Sequence, residues 1–148
     1  MTYSYLDNVR ASATIEGPST GAKVFRWMVG LLAIGHGLVH VMGPIQIWGI
    51  ADIQSLSGSP ALAVGDTTTR ILALMWLGAM IVLLIAGLGA LTGHSWWPRW
   101  ALSGAILSQL VIAMWWSDAA TGTIPNILIA AAAVWVDRVD PLLDSEFV

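Results

Sequence analysis

His36 and His40 stand four residues apart inside a long apolar run, a spacing that stacks two imidazoles on one face of a helix. An imidazole pair can ligate a metal, exchange a proton near neutral pH, or hydrogen-bond the carbonyl of a quinone-like molecule. A metal site needs a further ligand, and Asp118 is the acidic residue that could approach from a neighbouring span end, giving the set His36, His40 and Asp118. Haem is a poorer match, because two histidines on one helix face cannot occupy both of its axial positions. The plainer alternative is that both rings are neutral and hydrogen-bond across helices, with Ala33 and Gly43 extending their face as small residues that let helices approach.

Other polar residues could join them. Gln109, beside Ser108, falls near the middle of a third apolar run, where its amide can donate and accept toward a histidine or a ligand, or serve as interhelical glue. Asp118, Asn126, His40 and Arg70 all fall in the outer half or at the outer end of their runs and could converge at an outer mouth. Asp118 could equally accept from the amides that open the fourth run, where Thr123 suits a cap and Pro125 a first helical turn.

The elements that must position these residues follow from composition. Of 148 residues 57% are hydrophobic and 10% charged, whereas an ordinary soluble domain carries about a quarter charged residues. A chain this small could not hide so much apolar surface from water, so lipid is the expected solvent. Four runs stand out, at about 24–50, 71–91, 97–117 and 120–138. Three are long enough for a hydrocarbon core of ~30 Å; the fourth needs its flanking polar side chains to reach the interface. None alternates with the period of barrel strands, and backbone in lipid must satisfy itself, so the spans are expected to be helices. The expected fold is all-α, a four-transmembrane-helix bundle over residues 23–140, after a polar arm at 1–22 and before an acidic tail at 141–148.

Lys23, Arg26, Arg99 and Arg138 flank the ends that share one side of such a bundle, and Arg70 is the lone basic residue on the other, so both termini are expected in the cytoplasm. The polar N-terminus lacks the basic start of a cleaved signal, which makes the first span an uncleaved anchor. Of nine tryptophans, Trp27, Trp48, Trp96, Trp97, Trp100, Trp115 and Trp116 fall near span ends, as an interfacial belt would place them. The connection at 51–69, broken by Gly58, Pro60 and Gly65, is long enough to cover the outer mouth. Absence of cysteine excludes disulfides and thiolate chemistry, a net charge of -3 argues against nucleic acid, and no phosphate-binding loop or nucleophile elbow occurs.

The segment Gly35-His36-Gly37-Leu38-Val39-His40-Val41-Met42-Gly43, with Leu107-Ser108-Gln109, Trp116-Ser117-Asp118-Ala119 and Gly122-Thr123-Ile124-Pro125-Asn126, resembles a group of small bacterial four-span membrane proteins often labelled permeases. In size and span number the chain is similar, more loosely, to DoxX-like membrane proteins, some of which are linked to quinone oxidation. The resemblance implies an inner-membrane, multi-pass protein whose histidine pair and aspartate turn have a specific role; Pro125 stands where a small residue is expected. Three functions fit: an accessory subunit or lipophilic-ligand-binding protein of a larger membrane complex, a membrane enzyme of quinone-linked or isomerase type, or a homodimeric proton-coupled carrier. The implied ligands are quinone or lipid, and the implied partners are membrane lipid with other membrane subunits or a second copy.

Overall fold

In the computed structural model the backbone is described for residues 20–145 and the side chains for 20–138. The described chain is all-α: α1 (Thr20–Val39), α2 (Met42–Ile47), α3 (Asp66–Leu72), α4 (Leu74–Thr92), α5 (Trp97–Met114), α6 (Trp116–Ala119), a 3₁₀ turn (Ala120–Gly122) and α7 (Thr123–Ser145). Most of the expected arm at 1–22 lies outside the described residues; Thr20 onward is already helical. α7 runs through residue 140, so the boundary expected there does not end a helix.

Three of the four expected spans are interrupted, all toward the same end. The first turns tightly at His40 and Val41, where His40 N–H reaches back to Gly37 O at 3.0 Å, before continuing as α2. The second starts earlier than expected, at Asp66, because Gly65 is the last of the loop's breakers, and it is interrupted at Ala73 between α3 and α4. The third breaks at Trp115, whose backbone leaves the helical region (φ -118°, ψ 48°). Counted through such interruptions, Thr20–Ile47, Asp66–Thr92 and Trp116–Arg138 are long and apolar enough to cross a bilayer. α5 falls short of that standard because its first turn carries Pro98 and Arg99 and its middle carries Ser108 and Gln109.

α1 packs along α4, α4 along α5 and α5 along α7, and α7 returns more sparsely to α1, closing a bundle. Sequence neighbours from α4 onward are spatial neighbours because their connections are short. α1 and α4 approach closely at Gly30 and Gly87: a Cβ on Gly87 would stand 2.5 Å from Ile34 Cγ1 and 2.7 Å from the Gly30 carbonyl oxygen. Without side chains between them the backbones come into direct contact, which is how helices gain dispersion energy where no hydrophobic effect drives them together. Around this crossing six alanines, Ala33, Ala86, Ala90, Ala101, Ala105 and Ala133, pack with the larger Val29, Leu83, Trp97 and Ile129 in one core.

The end without breaks is tied together by other means. α4 ends on Gly93 in the left-handed conformation (φ 81°), and the Arg26 guanidinium of α1 lies against that glycine. Phe25 and Trp135 meet edge-on at 5.1 Å between ring centroids, joining the start of α1 to the late part of α7. Trp27, Trp96, Trp100 and Trp116 are exposed, as a belt requires, but Trp97 and Trp115 are 4% and 0% exposed and belong to the core. The belt reading fails for Trp97 because it lies on the inward stripe of α5 with Ala101, Ala105, Ser108 and Ile112, and for Trp115 because the break after α5 turns its ring onto Trp76.

Candidate functional site

His36, in the last turn of α1, and His40, in the turn that follows it, both lie on the inward side, where they are almost fully buried. The rings meet edge-on, 4.8 Å apart and at 88°. His40 donates from Nδ1 to the carbonyl oxygen of His36, one turn back, at 2.9 Å, which fixes the orientation of its ring. Ser108 of α5 stands between the two: its Oγ is 2.9 Å from His40 Nε2 and 3.2 Å from His36 Nε2. His36 Nε2 is also 2.9 Å from Oδ1 of Asn126 on α7. Asn126 Nδ2 donates to Gln109 Oε1 at 3.2 Å, and Gln109 Nε2 donates to Thr123 Oγ1 at 3.2 Å. Three helices are thus joined by one continuous polar chain within a largely apolar bundle.

A cavity of about 250 Å³ opens beside this chain. His36, His40, Asp118 and Thr121 supply its polar wall; Val39, Met42, Leu56, Trp76 and Ile112 supply the apolar one. Its rim on the α1 side includes Val39 and Met42, which are exposed, next to the sparse seam between α1 and α7. Gly122 stands behind the His36 ring, and a Cβ there would lie 3.3 Å from Cε1 and 2.9 Å from Ile112 Cδ1. Trp76 leans over His40 (5.5 Å between centroids) and packs on Gly43; its Nε1 is buried with no partner among the described residues.

Asp118 does not cap α7. Its carboxylate accepts from the loop: Ser57 N–H and Oγ–H donate to Oδ1 at 3.1 and 2.9 Å, and Gly58 N–H donates to Oδ2 at 2.9 Å. Trp115 Nε1 donates to Gly58 O at 3.2 Å, and Ala61 N–H donates to Met114 O at 2.6 Å. The loop is thereby fastened over the end of α5, with Leu56 forming part of the cavity wall. The capping role is lost because Thr123 is already helical (φ -61°, ψ -33°) and its hydroxyl accepts from Gln109.

The expected convergence of Asp118, Asn126, His40 and Arg70 is therefore only partial. His40 and Asp118 share the cavity wall, whereas Asn126 lies deeper, bonded to His36. Arg70 is exposed and lines a separate polar cavity of about 480 Å³ with Gln46, Ser57, Ser59, Asp66 and Thr69. The metal set His36, His40 and Asp118 is not assembled: the carboxylate is engaged by Ser57 and Gly58, and among the described residues no group of three His, Cys, Asp or Glu side chains is placed to hold a metal ion.

Sequence reasoning gave Ser108 no role of its own and did not single out Trp76. Ser108 was legible in principle, since it shares the spacing of Trp97, Ala101 and Ala105 on the buried stripe of α5. Fold and site together define the class: a helical protein with three segments of membrane-crossing length around a buried histidine, serine and amide cluster. Comparison of the chain with protein-family profiles, curated proteins and solved structures finds no match.

Proposed function

We propose that this chain is a four-span, multi-pass cell-membrane protein that holds the polar end of a small lipophilic molecule against the His36–Ser108–His40 cluster. The observation that carries this reading is the cavity itself, where buried imidazoles meet an apolar wall. Its volume lies just below the ~300 Å³ at the lower end of ligand pockets, enough for a head group with the rest of the molecule outside. Irregular backbone at membrane depth is tolerated where it lines a cavity, and two of the three interruptions lie close to this one. The protein acts as a ligand-binding component, by itself or docked on a larger membrane complex.

The fourth crossing in this reading is α5, whose polar groups are shielded because it packs between α4 and α7. Both termini lie in the cytoplasm, since Lys23, Arg26, Arg99 and Arg138 gather at the unbroken end. Reporter fusions at Met1 and Val148 test this; opposite locations would remove a crossing. The ligand reading is tested by extracting lipophiles from native purified protein. His40→Ala should lose a co-purifying quinone or lipid while the bundle stays folded and membrane-inserted, and an unchanged ligand content would leave the histidines as structural residues.

A second reading, proton transfer on such a ligand, is favoured by the Ser108 bridge. A proton taken up by His36 Nδ1 could leave from Nε2 to Ser108 Oγ while the hydroxyl proton passes to His40 Nε2. Solvent-isotope exchange at a carbon-bound hydrogen next to the ligand's carbonyl, lost in Ser108→Ala, would distinguish this from binding alone.

A further inference from the structure

The directions of the hydrogen bonds around the histidine pair decide what kind of polar group the cavity can take. A carbonyl oxygen only accepts, so His40 carries its ring proton on Nδ1, facing His36 O at 2.9 Å. The neutral ring then has a lone pair on Nε2, and the Ser108 hydroxyl, 2.9 Å away, donates to it. That hydroxyl has a single proton. Its contact with His36 Nε2 therefore draws on a proton held by His36, which also points at Asn126 Oδ1. The Asn126 and Gln109 amides continue in the same sense toward Thr123.

One polar atom of the pair is left over. His36 Nδ1 is a lone pair with no hydrogen-bond partner among the described residues. His36 is itself a wall of the cavity, so a molecule held there is the group placed to reach that nitrogen. The other ionisable group on that wall, the Asp118 carboxylate, accepts only, and no basic side chain lines the cavity. Thr121 can donate or accept and does not discriminate.

We infer that the cavity selects a lipophile bringing a hydrogen-bond donor, an alcohol- or phenol-type hydroxyl, over the same skeleton carrying acceptors alone. The inference rests on the reading of this cavity as a ligand site. Its basis is unmet demand: a hydroxyl satisfies His36 Nδ1, whereas an ether or carbonyl oxygen would set two lone pairs against each other in a buried place.

Titration of the full chain in lipid nanodiscs tests this, with empty nanodiscs correcting for partitioning. The probes are para-octylphenol, its methyl ether, and an alkylammonium of matched length. The phenol should bind about tenfold more tightly than the ether, the effect of one hydrogen bond made or left unmade in a buried site. His36→Gln keeps a donor for Asn126 and Ser108 but moves the acceptor from the Nδ1 position to an amide oxygen beside that donor, and should bring the two affinities within about twofold. The wild-type comparison stands even if that variant fails to fold. Equal binding of phenol and ether by the wild type would overturn donor selection while leaving the cavity a ligand site. Tighter binding of the ammonium than of the phenol would assign the donor to a cation and overturn the hydroxyl. Binding of none of the probes would overturn the ligand-site reading and this inference with it.

Discussion

The two ends of the bundle are built on opposite rules. At the end carrying Arg26, Gly93 and Trp97, helices run without interruption and meet through glycine and alanine, so van der Waals contact between backbones holds them. Toward the other end every span but the last is interrupted, and contact is made by directional bonds: His36 and His40 to Ser108 and Asn126, Asp118 to Ser57 and Gly58. Close packing tolerates no gap but recognises nothing, whereas hydrogen bonds of fixed direction leave space and give that space a chemical preference. The first end is the scaffold and the second is the place where a molecule could be held.

Substitutions can break this contrast, in decreasing order of expected effect. Gly87→Val inserts a side chain where even a Cβ lies within 2.7 Å of a backbone oxygen. It should destabilise the fold by about 3 kcal/mol or more, the upper part of the overpacking range, because two backbones must part. Thermal unfolding in detergent measures this, and a melting temperature near wild type would show that the α1–α4 crossing is not the scaffold.

Ser108→Ala removes the hydroxyl shared by the histidines and should cost about 1–2 kcal/mol, since His40 Nε2 is left unpaired where it is buried. The sharper readout is nitrogen NMR of the imidazoles: the wild type should show one neutral tautomer per ring, Nε2–H for His36 and Nδ1–H for His40, and the variant a mixture. Fixed tautomers in the variant would mean that Ser108 does not set the direction of the chain.

Asp118→Asn should have the smallest global effect, about 1 kcal/mol, because the carboxylate is only half-buried. Its influence should be local: the Ser57 and Gly58 amides, protected in the wild type, should exchange with deuterium faster, while amides around Gly87 do not change. Equal acceleration in both regions would mean that the two ends unfold as one unit.

How much of this could be read from the sequence follows the same division. Helices were legible because apolar length and the absence of alternation leave lipid-exposed backbone few choices, and the inward direction of His36 and His40 was legible because hydrocarbon offers an imidazole no partner. Their link to Gln109 was expected, and it exists, but through Asn126 rather than directly. The break at His40 had a local signal that went unread, since Pro44 offers no N–H to the His40 carbonyl four residues earlier and its ring crowds that carbonyl; the breaks at Ala73 and Trp115 have no proline or glycine at the break and were not legible. Asp118 was misplaced for a related reason. Its partners at Ser57 and Gly58 lie about sixty positions away in a loop whose path no local pattern specifies.

The weak apolarity of α5 has a consequence for how the protein is made. In the four-span reading, a helix bearing Pro98, Arg99, Ser108 and Gln109 gains little by leaving the translocation channel for lipid alone. Its short link to α4, from Gly93 to Trp96, allows the two to leave together as a hairpin, with α4 covering one flank. Within that hairpin Gln109 has no amide partner until α7 has been synthesised and brings Asn126 to it. Shortening the chain before residue 126 removes that partner and is expected to leave α5 more accessible from the aqueous side.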